Sequence, residues 1–222
     1  MATTQEDGRE PFGGHSVLQF ALESDRRKFL RYAGLVGVGA SFAVGGLVDV
    51  GTAMAAEPDA TPSTAGDLGI LNYALTLEYL ESTFYTKGVA AKILTGRTLD
   101  LLSVVRDHED AHVAAITAAI KAAGGTPVTK PAIKFPSGTF GSEATFLATA
   151  HVFEELGVTA YHGQVPLIKS VAVLGAAASI AGVESRHAAI IASLIPDGNP
   201  FPAPIEKHHT KAYVVKQVTP FL

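Results

Sequence analysis

Two four-residue words in this chain can do chemistry together: Glu109-Asp110-Ala111-His112 and Glu184-Ser185-Arg186-His187. Each sets a carboxylate and an imidazole three residues apart, a spacing that on a helix turns both side chains to one face. Each follows a single glutamate in an apolar run, Glu78 before the first word and Glu154 before the second. Two Glu-x-x-His words with two further inward-facing glutamates form a donor set that helical bundles use to hold a pair of divalent metal ions. Four carboxylates buried together raise one another's pKa through desolvation and repulsion. Two divalent cations offset that charge, and neutral imidazoles add nitrogen donors. Carboxylates also bridge, so six side chains can hold two ions and leave positions open. The chain has no Cys, which excludes disulfides, thiolate chemistry and Cys-ligated metal. Oxygen and nitrogen donors fit Fe or Mn.

Helices must position these residues. A first helix is expected from about residue 68 to 87, with Asp67 as N-cap and an inward stripe of Leu71, Leu75, Glu78, Ser82 and Tyr85. A second, over 98–123, carries Leu101, Val105, His108/Glu109, His112, Ala115/Ile116 and Ala119, and Gly124-Gly125 ends it. Ser142 caps a third, with Leu147, Ala150/His151, Glu154, Val158 and Tyr161 inward and Pro166 as its stop. The fourth, over 170–194, carries Leu174, Ala177, Ala181, Glu184, His187 and Ile191. In all four the residues capable of chemistry occupy the face that should be buried. Residues 124–141, with four glycines and three prolines, are too long for a tight turn and suit one long crossover between helices 2 and 3. The expected fold is therefore all-α, a four-helix bundle over 67–195. An irregular tail over 196–222 would touch the bundle through Tyr213, Val214 and Phe221.

Register supports one site. In an antiparallel hairpin, residues equidistant from the turn lie level. The midpoint of Glu78 and Glu109 falls between Ile93 and Leu94, and that of Glu154 and Glu184 at Lys169, each within an expected turn. The halves also repeat: Glu154 and Tyr161 follow Glu78 and Tyr85 by 76 residues, and Glu184 and His187 follow Glu109 and His112 by 75. Each half is one ligand hairpin, and the pair would pack about a pseudo-two-fold axis. Tyr85 and Tyr161, on the faces of Glu78 and Glu154, can hydrogen-bond the carboxylates or serve as core aromatics. Glu81 is either an added carboxylate or a partly exposed one. Glu155 and Arg186 point away from the site, His108 and His151 read as structural histidines beside it, and His208-His209 reads as a solvated turn.

Residues 1–55 read as a leader and export signal. Arg26-Arg27 precede Phe29-Leu30 and an apolar run from Ala33 to Val48, and Ala53-Met54-Ala55 offers a cleavage site. The paired arginines resemble a twin-arginine signal, which implies the Tat translocation machinery as a partner and a periplasmic, extracellular or cell-envelope location. An uncleaved transmembrane helix is the alternative, but the run is shorter than the roughly 20 residues a span needs. Residues 56–66 are a linker. A formal net charge of −4 gives no reason to expect nucleic acid or an anionic membrane as partner.

At these residues the chain resembles the ferritin-like superfamily. Leu71-Asn72 followed by Glu78 and Tyr85 looks like the first helix of bacterioferritins, and both Glu-x-x-His words match the paired motifs of bacterioferritin, rubrerythrin and manganese catalase. Phe153-Glu154-Glu155-Leu156-Gly157 with Ala160-Tyr161 looks most like the ferritin-like group that includes desiccation-related proteins. The resemblance implies Glu78, Glu109, His112, Glu154, Glu184 and His187 as six ligands to two Fe or Mn ions. It also implies a peroxide- or oxygen-handling oxidoreductase, or a ferroxidase. A non-catalytic stress protein and a metal-binding protein are the alternatives. There is no Cys pair to carry electrons as in rubrerythrin, and the tail is not the fifth helix of a cage-forming ferritin. A homo-oligomer is compatible with the chain.

Overall fold

The structure, a computed structural model, describes residues 65–222. The expected leader, export signal and nearly all of the linker lie outside the described residues. The described chain is all-helical: α1 (Ala65–Ala90), α2 (Gly96–Ala122), α3 (Glu143–Gln164), α4 (Val171–Leu194) and a short α5 (Lys211–Val218). Single 3-10 turns at Val165–Leu167 and Thr219–Phe221 follow α3 and α5. α1 packs along α2 and α3 along α4, while α1–α3 and α2–α4 contacts join the two hairpins.

The crossover runs the length of the bundle, and polar side chains fix both its ends. Near the start of α1, Asn72 donates to the Thr126 carbonyl (3.3 Å) and accepts from the Val128 amide (2.6 Å). At the other end Glu143, in the first turn of α3, accepts from Thr98 Oγ1 (3.2 Å) and from the Thr95 amide (3.4 Å) beside the start of α2. Helices α2 and α3 thus begin at the same end, so the chain must travel back along the bundle between them. Ser142 caps α3 through a reciprocal box with Thr145, which satisfies amides the helix itself cannot.

Along each helix a polar layer separates two apolar ones. Leu71, Leu75, Ile116, Ile120, Val173 and Ile180 fill one end. The other holds Phe84, Leu102, Val105, Phe146, Phe153 and Ile191, with Phe84 and Phe146 stacked at 4.4 Å between centroids. Each such fully buried side chain contributes about 1.5–3 kcal/mol, which offsets the cost of burying the polar layer between them.

Two local expectations need correction. Asp67 does not start α1, which begins at Ala65. Its carboxylate accepts from the Lys169 and Ser170 amides (2.8 and 3.0 Å) and so holds the chain where it enters α4. The tail is not wholly irregular either. Thr210 caps α5, whose Val214 and Val218 lie one turn apart and are buried in the main core. Of the three expected contacts Val214 is buried and Phe221 packs partly against the core, while Tyr213 faces outward and stacks on His209. The His209 amide donates to Thr159 O (3.0 Å). Its carbonyl lies where a side chain on Gly163 would be, 1.9 Å from an added Cβ, so the tail can cross α3 there only over a glycine. Among the described residues no helix is long and apolar enough to cross a membrane.

Candidate metal centre

The four long helices each deliver a carboxylate to the same level. Glu78, Glu109, Glu154 and Glu184 are wholly buried, and His112 and His187 nearly so. One donor atom each from Glu78, Glu109, His112 and Glu184 lie within 4.8 Å of one another. The same holds for Glu109, Glu154, Glu184 and His187. The two groups share Glu109 and Glu184, the carboxylates of the Glu-x-x-His words.

The donors converge without satisfying one another. His112 Nδ1 lies 3.0 Å from Glu184 Oε1, 3.3 Å from Glu78 Oε2 and 3.5 Å from Glu109 Oε2. His187 Nδ1 lies 3.0 Å from Glu109 Oε1 and 3.4 Å from Glu154 Oε2. These approaches lack hydrogen-bond alignment. Both Nδ1 atoms, both oxygens of Glu109 and of Glu184, Glu78 Oε2 and Glu154 Oε2 are buried with no hydrogen-bond partner. Buried polar atoms are ordinarily paired, so eight orphans facing one volume describe a site built for something other than protein. Oxygen and imidazole donors suit divalent Fe or Mn, and the residues fit a metal centre.

The outer oxygens are held from across the bundle. Tyr161 on α3 donates to Glu78 Oε1 on α1, and Tyr85 on α1 donates to Glu154 Oε1 on α3. Each tyrosine therefore serves the opposite half's glutamate, not the one on its own helix, and leaves that carboxylate's second oxygen aimed inward. His108 is a partner the sequence left as merely structural. Its Nδ1 lies 2.9 Å from His187 Nε2, with the rings stacked at 5.2 Å. A metal-binding Nδ1 on His187 keeps its proton on Nε2, which then donates to His108 and fixes the ring.

Electrostatics show what holds the cluster when no metal does. Burial lifts the Glu78 carboxyl to about 7, despite the opposing pull of His112. Burial and then the neighbouring carboxylates raise Glu184 well above the ordinary range. For the imidazoles burial acts downward, but the carboxylates win and raise both His112 and His187 well above the usual value. Burial likewise works to raise Glu109, yet the two imidazoles beside it hold it below the usual carboxylate range. Protons stand in for cations.

A family model for the ferritin-like domain matches residues 66–197, the span of the four helices and the polar layer. The chain belongs to the ferritin-like family. No curated protein matches it. Within this ferritin-like bundle the six residues singled out by spacing come together, and both tyrosines bond the cluster. Glu155 is half-exposed and Arg186 exposed, away from the cluster as expected. Glu81 is neither exposed nor in either ligand group: it is 4 % exposed and lies beside Glu184.

Proposed function

We propose that this protein is an exported ferritin-like protein that holds two Fe or Mn ions and turns over peroxide or dioxygen, or oxidises ferrous iron. The observation that carries this reading is the set of eight orphaned donor atoms in two overlapping groups. In this reading Glu78, Glu109, His112 and Glu184 would hold one ion and Glu109, Glu154, Glu184 and His187 the other, with Glu109 and Glu184 common to both groups. Bound there, such a pair supplies two adjacent one-electron redox centres to a single small oxidant. The protein's part is positional and protic. Tyr85 and Tyr161 pin the outer glutamates and hold a proton at each, His108 holds His187, and the apolar layers above and below keep bulk water out. Glu109 and Glu184, with both oxygens free of protein bonds, can change how they bind without breaking any. Export rests on Arg26-Arg27 and the apolar run that follows.

The test is turnover. Reconstituted with Mn²⁺ or Fe²⁺, the protein should consume hydrogen peroxide or oxidise added ferrous iron with oxygen, and a Glu109→Ala, Glu184→Ala variant should not. Tight metal binding with no turnover of either kind would sink the catalytic reading and leave a metal-holding protein.

A further inference from the structure

Beside the centre the duplicated halves differ at Glu81 as well as at His108. Glu81 stands three residues after Glu78, and its equivalent after Glu154 is Gly157. The two face each other. A Cβ built on Gly157 would sit 3.2 Å from Glu81 Oε1 and 3.3 Å from Glu184 Oε2. A side chain there would push both carboxylates back by a few tenths of an ångström, so glycine leaves Glu81 and Glu184 room to approach each other across it.

Glu81 has no structural employment. It makes no hydrogen bond or ion pair with any described residue, and a buried carboxylate without a partner is costly. It also lines a narrow cleft of about 10 Å³ between α1, α3 and α5, whose other walls include Leu80, Phe153, Leu156 and Val218. Among the described residues Glu81 is the one ionisable side chain lining this cleft. On its other side is Glu184, both of whose oxygens are unpartnered. A lone carboxylate between an opening and a set of orphaned donors attracts one kind of visitor, a divalent cation in need of oxygen ligands as it sheds water.

We propose that this cleft is the entry port for the metal ions, and that Glu81 takes each ion from the cleft and passes it to Glu184. The proposal rests on the six-residue metal centre described above. Val218, on the short C-terminal helix, covers the port, which gives α5 a role beyond packing.

The test is the rate of Co²⁺ uptake by metal-free full-length protein, followed by visible absorbance, with final content measured separately. Glu81→Gln, of the same shape but unable to become a carboxylate ligand, should slow uptake by about tenfold or more, the lower end of what an anionic lining does for cation on-rates. Its final content should match that of the parent protein. Val218→Ala, which widens the cleft and leaves the centre untouched, should speed uptake several-fold, and it decides the matter if Glu81→Gln fails to fold. Unchanged uptake in either folded variant overturns the proposal. Fewer ions bound in Glu81→Gln also overturns it, since Glu81 would then be a resident ligand. A parent protein that takes up no Co²⁺ at all is a different failure, that of the metal centre itself.

Discussion

The hairpin of α1 and α2 and the hairpin of α3 and α4 carry the same ligand pattern in different surroundings. Glu78, Glu109 and His112 in one match Glu154, Glu184 and His187 in the other, and the tyrosines cross between them as a matched pair. Outside that set the match fails. Glu81 faces Gly157. His108, which supports His187, corresponds to Val183, and among the described residues no such partner reaches His112. The comparison separates two kinds of residue. What the halves share would suit two equivalent ions, whereas what they do not share, Glu81 and His108, would give such ions unequal neighbours.

The largest effect should come from removing what neutralises the shared set. In the metal-free protein Glu78 titrates near 7 when folded against 4.5 as its reference. Its contribution to stability is present below pH 4.5 and is lost as pH rises through 7, on the order of 3 kcal/mol. The raised imidazoles of His112 and His187 act in the same direction: their contribution is present below 6.5 and is lost as pH climbs through their folded values. Glu109, held low, acts oppositely: its contribution is full above 4.5 and is lost as pH falls from there through its folded value, below the range tested. Thermal unfolding of the metal-free protein should therefore show a Tm that falls steadily from pH 5 to 8, while that of the metal-loaded protein stays nearly level. A metal-free Tm that rises over this range would contradict the charge assignment.

The unmatched His108 offers a sharper break. His108→Phe should weaken one of two bound ions by about 10-fold or more, the usual cost of losing a partner that orients a ligand, and leave the other as it was. Chelator competition would then show two phases where the parent shows one or two closely spaced ones. Equal weakening of both ions would mean that His108 acts on the whole bundle and not through His187.

The tyrosines should give the smallest effect and a symmetric one. Tyr85→Phe and Tyr161→Phe each leave a buried glutamate oxygen unpaired, about 1–3 kcal/mol by denaturant unfolding. The two values should agree if the halves are equivalent at this level. A large difference between them would show that the asymmetry reaches the ligands' own supports.

Much of this was legible in the chain because helical period and ligand spacing are local properties. Glu109 with His112, and Glu184 with His187, announce a shared face within four residues, and the turns that level the glutamates can be counted. What was hidden depends on a neighbour far along the chain. Asp67 reads as a helix start until α4 arrives beside it, and its oxygens then serve Lys169 and Ser170. Glu81 sits off the main stripe, and a glycine 76 residues away leaves room for its carboxylate. His108 takes its meaning from His187. Helix α5 was masked by the prolines around it, although Thr210 as cap and the Val214, Val218 pair were its local signal.

On the proposal made above, six residues from two hairpins hold two ions, with Glu109 and Glu184 common to both. Metal content per chain tests it directly, measured on protein reconstituted with Fe²⁺ or Mn²⁺ and compared with Glu109→Ala, Glu184→Ala and with Glu154→Ala. Two ions are expected in the parent, none in the double variant, and loss centred on one ion when only Glu154 is removed. A parent that retains no metal, or a double variant that retains as much as the parent, would contradict it.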